Sequence, residues 1–393
     1  MKILMLLDNK FPPDPRIENE AKSLTSIGHE LHILCYNYGG MKKYEVNNNV
    51  NIHRFYIPLQ LAKKSLALIH IFPIYKIIWK YQVRKFLKGN NMDAIHIHDL
   101  ALCFLTNYIK KNYTVKLICD MHENYPYLIA DQIYMRKFPW KYILSKKIWF
   151  KKEKQWLSHA DQIICVAKEM SDRLSNILIE KHKFVIVPNT LNLSLFSSNQ
   201  KELPELKNRF CDSFNLFYFG GIDPVRGIEI LIEAGNILKN KINNIKIIIV
   251  GDGKILPELK NLVQSLNLEN TIIFEGWVSP SYIKSYMNIC DIGIIPHLRS
   301  EQTDNSSPNK LFQYMYFGMP IISSNCKSIE KIIKQEECGL IYEDTNSKDL
   351  ADKVLFYFQN RDLMNLTGEK GHNAVLNKYN WEATHFGLLE IYK

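Results

Sequence analysis

Two doubly wound α/β domains, each built on a parallel sheet, are what this 393-residue chain predicts, and three observations carry that expectation. Short runs rich in β-branched residues are apolar throughout instead of alternating, the pattern of parallel strands covered on both faces. Stretches with helical spacing separate those runs, as βαβ units require. The series halts once, in the Asn-, Ser- and Pro-rich stretch PNTLNLSLFSSNQKELP from Pro188 to Pro204, and then begins again.

In the first domain, residues 1–195, strands are expected at Lys2 to Leu7, Leu31 to Tyr36, Asn51 to Ile57, Ala94 to His98, Val115 to Asp120, Gln162 to Val166 and Phe184 to Val187. The opening MKILMLLDNK is cut short by Asp8 and reads as the first strand, not as a secretory leader. In the second domain, residues 205–375, strands are expected at Asn215 to Phe219, Lys246 to Val250, Thr271 to Phe274, Ile292 to Ile295, Ile321 to Ser323 and Leu340 to Tyr342. Residues 376–393 read as a closing helix that begins Tyr379-Asn380-Trp381.

An apolar fraction of 46% and a charged fraction of 23% suit a folded globular chain. The eight cysteines form no CxxC pair and several lie in apolar runs, so buried reduced thiols in a cytoplasmic protein are expected. Charge is divided unevenly. Residues 1–200 carry 29 Lys+Arg against 16 Asp+Glu, a net of +13, and residues 201–393 carry 21 against 24, a net of −3. The excess is densest at 136–156, RKFPWKYILSKKIWFKKEKQW, where Tyr142, Trp149 and Trp156 recur at heptad spacing. Basic residues beside aromatics suit an anionic membrane surface; the competing reading is an amphipathic helix packed on the sheet. Residues 61–88 mix lysines with apolar residues but are broken by His70, Pro73 and Lys76, so they can lie on a bilayer without crossing it. No nucleic-acid motif accompanies these surfaces, and no nucleic-acid partner is expected.

Ligands of open α/β sheets bind outside the carboxyl ends of strands. There, the stretch SSPNKLFQYMYFGMPII from Ser306 to Ile322 opens a helix with Pro308-Asn309-Lys310-Leu311. The free amides of a helix start, its positive dipole end and Lys310 make a phosphate site. Gly220 and Gly221 allow close backbone approach after another strand, and Arg226 offers a fork of donors to a diphosphate. Gly251-Asp252-Gly253 is a strand-to-helix turn that does not complete GxGxxG, which disfavours a nicotinamide dehydrogenase. In the first domain, Arg16 follows the loop DNKFPPDPR and either reaches a ligand or pairs with Glu20, and His122-Glu123 follows a strand. His96, His98 and Asp99 suggest a metal only weakly, since no further ligand is evident, and none is expected.

The Pro-Asn-Lys, Phe-Gln-Tyr-Met and Gly-Met-Pro steps resemble the donor-site signature of the retaining GT-B glycosyltransferases of the nucleotide-sugar-dependent family 4, and motifs in the same order run along essentially the whole chain. Gln313 stands where many members have Glu, Asn305 stands eight residues earlier where many have another, Gly221 replaces an Arg, and Arg226 replaces a Lys. The resemblance implies two Rossmann-like domains facing a central cleft, with the last helix crossing back to the first domain. It assigns the donor diphosphate to Arg226 and Lys310, the ribose to Gln313, and the base to the borders at Gly251, Trp277 and Val278. His122 is assigned to the sugar or the acceptor, and Arg16 and Glu123 to the acceptor side. The implied activity moves a sugar from a nucleoside diphosphate, a UDP-sugar ahead of a GDP-sugar, to a hydroxyl with retention and without metal or cofactor. A lipid-linked glycan of bacterial surface polysaccharide assembly is the expected acceptor, handled at the inner face of the cell membrane. A non-catalytic GT-B partner that binds nucleotide is the alternative, and a sugar-nucleotide epimerase a more distant one.

Overall fold

The computed structural model describes residues 1–130, 145–178, 183–198 and 201–393, which form two compact units. One comprises Met1–Pro188 with His385–Lys393, the other Asn189–Thr384.

The first unit holds eight strands: β1 (Lys2–Lys10), β2 (Glu30–Asn37), β3 (Tyr44–Asn47), β4 (Val50–Tyr56), β5 (Ala94–His98), β6 (Lys116–Met121), β7 (Gln162–Cys165) and β8 (Phe184–Ile186). Their order is β3-β4-β2-β1-β5-β6-β7-β8. All pairings are parallel except that of β3 with β4. β3 is an addition to the seven expected strands. Its hairpin turns on Asn48 and Asn49, at φ 49° and 62°, the left-handed pair that a two-residue turn demands and that asparagine tolerates. The order reverses between β1 and β5, which places the unit's switch point at their carboxyl ends.

The helix Pro15–Ser26 is started by Asp14, whose carboxylate accepts from the Arg16 and Ile17 amides at 3.1 and 3.2 Å. The preceding loop is pinned by buried Arg54, which donates to the Phe11 carbonyl through Nε at 3.0 Å and Nη2 at 2.7 Å. In the helix Ile74–Leu87, Tyr75, Trp79, Val83 and Phe86 turn into the core while Ile74, Ile77 and Tyr81 face outward. The helix Lys146–Leu157 corrects the membrane reading of 136–156 in its described part. Trp149 and Trp156 are 2% and 5% exposed and belong to the unit's core. Both rings pack against His70, with centroids 4.4 and 6.2 Å away. Heptad spacing marked the buried face; Tyr142 and Trp140 lie outside the described residues.

The second unit holds β9 (Phe214–Phe219), β10 (Ile245–Val250), β11 (Ile272–Gly276), β12 (Ile292–Ile295), β13 (Ile321–Ser324) and β14 (Gly339–Tyr342), ordered β11-β10-β9-β12-β13-β14. Every pairing is parallel. The switch point falls between β9 and β12. The helix Asn309–Tyr316 lies on this seam, and Tyr314 fixes it there. Its hydroxyl donates to the Phe217 carbonyl at 3.0 Å, and its ring fills the space beside Gly293, where a Cβ would meet it at 2.6 Å. Apolar clusters cover both faces of the sheet. The expected single closing helix is instead two short ones, Trp381–Thr384 in this unit and Phe386–Ile391 in the first. All eight cysteines are unpaired, and no helix among the described residues is long and apolar enough to cross a membrane.

Candidate functional site

The second unit gathers most of the residues singled out above at the carboxyl edge of its sheet. Gly220 follows β9, and its φ of 130° turns the chain beneath Lys310; a Cβ there would lie 3.0 Å from Lys310 Nζ. On the neighbouring strand end, the Gly251 amide donates to the Gly276 carbonyl at 2.7 Å. Its φ is 149°, and a Cβ would come within 1.9 Å of the Gly220 carbonyl oxygen. Only glycine allows that approach. Backbones from β9, β10 and β11 therefore form one continuous rim, running from Lys310 past Gly220 and Gly251 to Gly276 and Trp277.

Lys310 sits in the first turn of the helix Asn309–Tyr316, which begins at Pro308 without a side-chain cap. The residue is only 8% exposed. Its Nζ lies 3.8 Å from the centre of the Tyr218 ring, a contact that partly replaces lost hydration. The Tyr218 hydroxyl donates to the Gly221 carbonyl at 2.7 Å and so fixes the turn. Burial first, and the charge of Arg226 second, push the Lys310 amine well below its ordinary range. Arg226 closes the short Pro224–Arg226 turn, and its side chain donates through Nη1 to a neutral acceptor, His297 Nε2, at 3.1 Å. Neither cation has a carboxylate partner among the described residues.

The other positions divide by what faces outward. Leu311 is fully buried and its amide donates to the Pro308 carbonyl at 3.0 Å, whereas Asn309 is exposed. Gln313 is half-buried, and its Oε1 is shielded from solvent without a hydrogen-bond donor among the described residues. Trp277 is 73% exposed beyond β11, while Val278 packs inward. Glu275 anchors that strand end, accepting from the Tyr286 hydroxyl at 2.9 Å and pairing with Arg209 at 2.7 Å. Asn305 turns away from the rim: its amide donates to the Glu301 carbonyl at 2.6 Å. Tyr218 and His297 went unnoticed in the sequence because an aromatic within a strand and a lone histidine carry no local pattern.

In the first unit the carboxyl ends of β1, β5 and β6 bring Asp8, Asp99 and His122 together. Arg16 lies deeper. Its Nη2 contacts both Asp120 oxygens at 3.0 and 2.9 Å, its Nε pairs with Glu20 at 3.0 Å, and its Nη1 donates to the Val187 carbonyl at 3.0 Å. The helix-start pair with Glu20 is thus present, and these donors are committed to protein acceptors. Burial would raise the Asp120 carboxyl, but Arg16 and His122 hold it well below the usual range. Glu20, buried beside Asp120, is pushed well above its own. Glu20, His96, His98 and Asp120 place ligand atoms within 4.8 Å of one another, supplying the acidic partners the sequence had not revealed. The Arg16 guanidinium lies against both carboxylates.

His122 Nε2 lies 3.2 Å from Asp120 and 3.1 Å from His98 Nδ1, and its Nδ1 lies 3.8 Å from Asp99. Burial alone would lower its pKa, but Asp99 and Asp120 outweigh it and raise the imidazole to about 9. Asp8 accepts from the Tyr75 hydroxyl at 2.9 Å. Its carboxyl is raised to about 7 by burial and by Asp99. Glu123 is exposed on the same loop.

Residues 16–195 match the family model Glycosyltransferase Family 4, and residues 199–374 match Glycosyl transferases group 1. An uncharacterized glycosyltransferase of Methanocaldococcus jannaschii is 27% identical over 96% of this chain and 93% of its own. The alpha-monoglucosyldiacylglycerol synthase of Streptococcus pneumoniae is 24% identical over 68% of this chain and 59% of its own. The crystal structure of Anabaena HepE in complex with UDP-glucose superposes with a TM-score of 0.70 at 15% identity, covering 100% of this chain and 99% of that one.

The elevated pKa of His122 gives a stability signature. A group whose folded pKa is raised stabilises most below its unfolded value, about 6.5, and loses that contribution as pH rises through the folded value. The unfolding midpoint of the native protein minus that of His122→Gln should hold steady below pH 6.5 and shrink towards about pH 9. A difference constant from pH 6 to 10 would mean that the imidazole is not held charged by Asp99 and Asp120.

Proposed function

The chain being a glycosyltransferase of GT-B fold, we propose that it moves a sugar from a nucleoside diphosphate to an acceptor hydroxyl with retention at the anomeric carbon. The observation that carries this reading is the pair of cations, Lys310 and Arg226, held at the carboxyl edge of one sheet with no carboxylate partner among the described residues. Uncompensated cations beside a helix start favour an anion with spread charge, and a diphosphate has that form. Around it, we assign the half-buried Gln313 to the ribose hydroxyls, and the rim ending at Trp277 offers a flat aromatic to a base.

In the step we assign, the bond from the anomeric carbon to the diphosphate oxygen breaks, and the bond to the acceptor oxygen forms on the same face. The acceptor proton passes to the departing diphosphate. Negative charge grows on that group, and Lys310, Arg226 and the helix-start amides of Asn309 and Lys310 stabilise it more in the transition state than in the ground state. These cations take the role a divalent metal would otherwise fill, so the proposed reaction needs no metal or cofactor. In the first unit we assign His122, held as the imidazolium, and Glu123 to the acceptor, with Arg16 organising Asp120 behind them. A UDP-sugar is the proposed donor ahead of a GDP-sugar, as in the UDP-glucose complex of HepE.

A lipid-linked glycan is the proposed acceptor, and an anionic membrane surface the proposed partner, placing the protein at the cytoplasmic face of a bacterial membrane. Support comes from the outward side of residues 61–88. Ile71, Phe72, Ile74, Ile77 and Tyr81 are exposed there among Lys63, Lys64, Lys80, Arg84 and Lys85. Apolar side chains ringed by cations match a headgroup region, at about 1 kcal/mol per cation near anionic lipid. The glycolipid synthase similarity points the same way. The lysines of 146–154 add to the basic surface, but Trp149 and Trp156 do not join it.

Lys310→Ala and Arg226→Ala should each lower turnover of the donor by roughly a hundredfold or more, about 3 kcal/mol in barrier, with little change in melting temperature. Full turnover in either variant removes that residue from the site. Tight nucleotide binding with no turnover on any nucleotide sugar would instead favour the non-catalytic nucleotide-binding partner, to which the neutral Gln313 and the averted Asn305 also point.

Vesicle co-sedimentation tests the membrane reading. Binding should require anionic lipid, weaken as salt rises, and fall several-fold in Phe72→Ser/Ile77→Ser while nucleotide-sugar hydrolysis persists. Equal lack of binding to neutral and anionic vesicles, with full activity on a soluble acceptor, would contradict it.

A further inference from the structure

Arg226 is built into a turn that leaves it little freedom. Gly227, which follows it, has φ 63°, and a Cβ there would lie 1.9 Å from the Pro296 carbonyl oxygen. The Leu298 amide donates to the Val225 carbonyl at 3.0 Å. The turn at 224–227 is therefore stapled against residues 296–298, just beyond the end of β12. From that segment the His297 ring reaches back, and its Nε2 accepts from Arg226 Nη1 at 3.1 Å. His297 is 2% exposed, and its carbonyl accepts from the Ser324 hydroxyl at 2.6 Å, which ties it to β13. The acceptor of the guanidinium is thus mounted on the sheet itself.

What matters is the kind of acceptor. A carboxylate in this place would pair with Arg226 and cancel the charge that a diphosphate needs. A neutral imidazole fixes the direction of the guanidinium and cancels nothing. Protonation would turn that acceptor into a second donor and break the bond. Burial, then Lys310, then Arg226 keep the ring well below its ordinary pKa and so neutral. We propose that His297 is a positioning residue, which aims the Arg226 guanidinium at a nucleoside diphosphate while leaving its positive charge uncompensated. This inference rests on the donor-site reading above.

Titration calorimetry with UDP, and with GDP beside it, separates the two ideas when Arg226→Ala is compared with three replacements of His297. Glutamine and glutamate are alike in shape and differ in charge. His297→Gln keeps a neutral acceptor, and its affinity should stay within about twofold of the native protein. His297→Glu pairs with Arg226 and His297→Leu releases it, so each should bind roughly tenfold more weakly, the loss expected for one hydrogen bond to a charged group. The glutamate variant should show this at an undiminished melting temperature, which a merely structural role of His297 does not explain. If Arg226→Ala weakens binding while all three His297 variants match the native protein, His297 is idle and this inference fails alone. If Arg226→Ala binds both nucleotides as the native protein does, the donor-site reading fails and takes this inference with it.

Discussion

An ammonium taken out of water with no carboxylate opposite it among the described residues is the constraint on which the second unit turns. Leaving a charge so buried costs several kcal/mol unless something replaces its hydration. For Lys310 that replacement is the face of Tyr218, and the space it occupies exists because Gly220 has no side chain. The helix carrying Lys310 is held on the seam between β9 and β12 by Tyr314 and the gap at Gly293. Arg226, aimed by a neutral histidine, adds a second cation instead of relieving the first. The unit is arranged to keep positive charge available at the switch point of its sheet, the place where α/β sheets bind ligands.

The first unit treats a buried cation in the opposite way. Arg16 is enclosed by Asp120, Glu20 and the Val187 carbonyl, so its charge is consumed in holding the strand ends together. Nearer the surface lie His122, Asp8 and Asp99, and Asp120 of that core raises the proton affinities of both His122 and Asp99. Both units thus place charge at the carboxyl ends of the strands flanking their switch points. Only the second leaves a surplus of one sign.

The fold was readable because its signal is local. Continuous apolar runs separated by helical stretches name parallel strands wherever they occur, and all thirteen expected strands are present to within a few residues. The strand that escaped, β3, is polar and turns on asparagines, which look like loop. The rim of the second sheet was legible at Lys310, Arg226 and the glycines, because turn chemistry and a helix start are written in consecutive residues. Partnerships were not. Asp120 lies 104 residues from Arg16 and His297 lies 71 from Arg226, and no spacing announces either contact. The Lys-Trp helix misled for a related reason: its heptad of aromatics marked a buried face correctly, but whether sheet or lipid covers that face depends on neighbours remote in sequence.

The central claim is that Lys310 is poised, by burial and by Arg226, for the diphosphate of a nucleotide. Its lowered pKa offers the most direct test. A diphosphate binding beside it must raise that pKa again, so at alkaline pH nucleotide binding must be coupled to proton uptake. Calorimetry of UDP binding in buffers of different ionisation enthalpy measures that uptake. The account predicts a fraction of a proton taken up per UDP at pH values below the ordinary lysine range, and none in Lys310→Met. UDP binding with no linked proton, and with the same affinity in Lys310→Met, would contradict it.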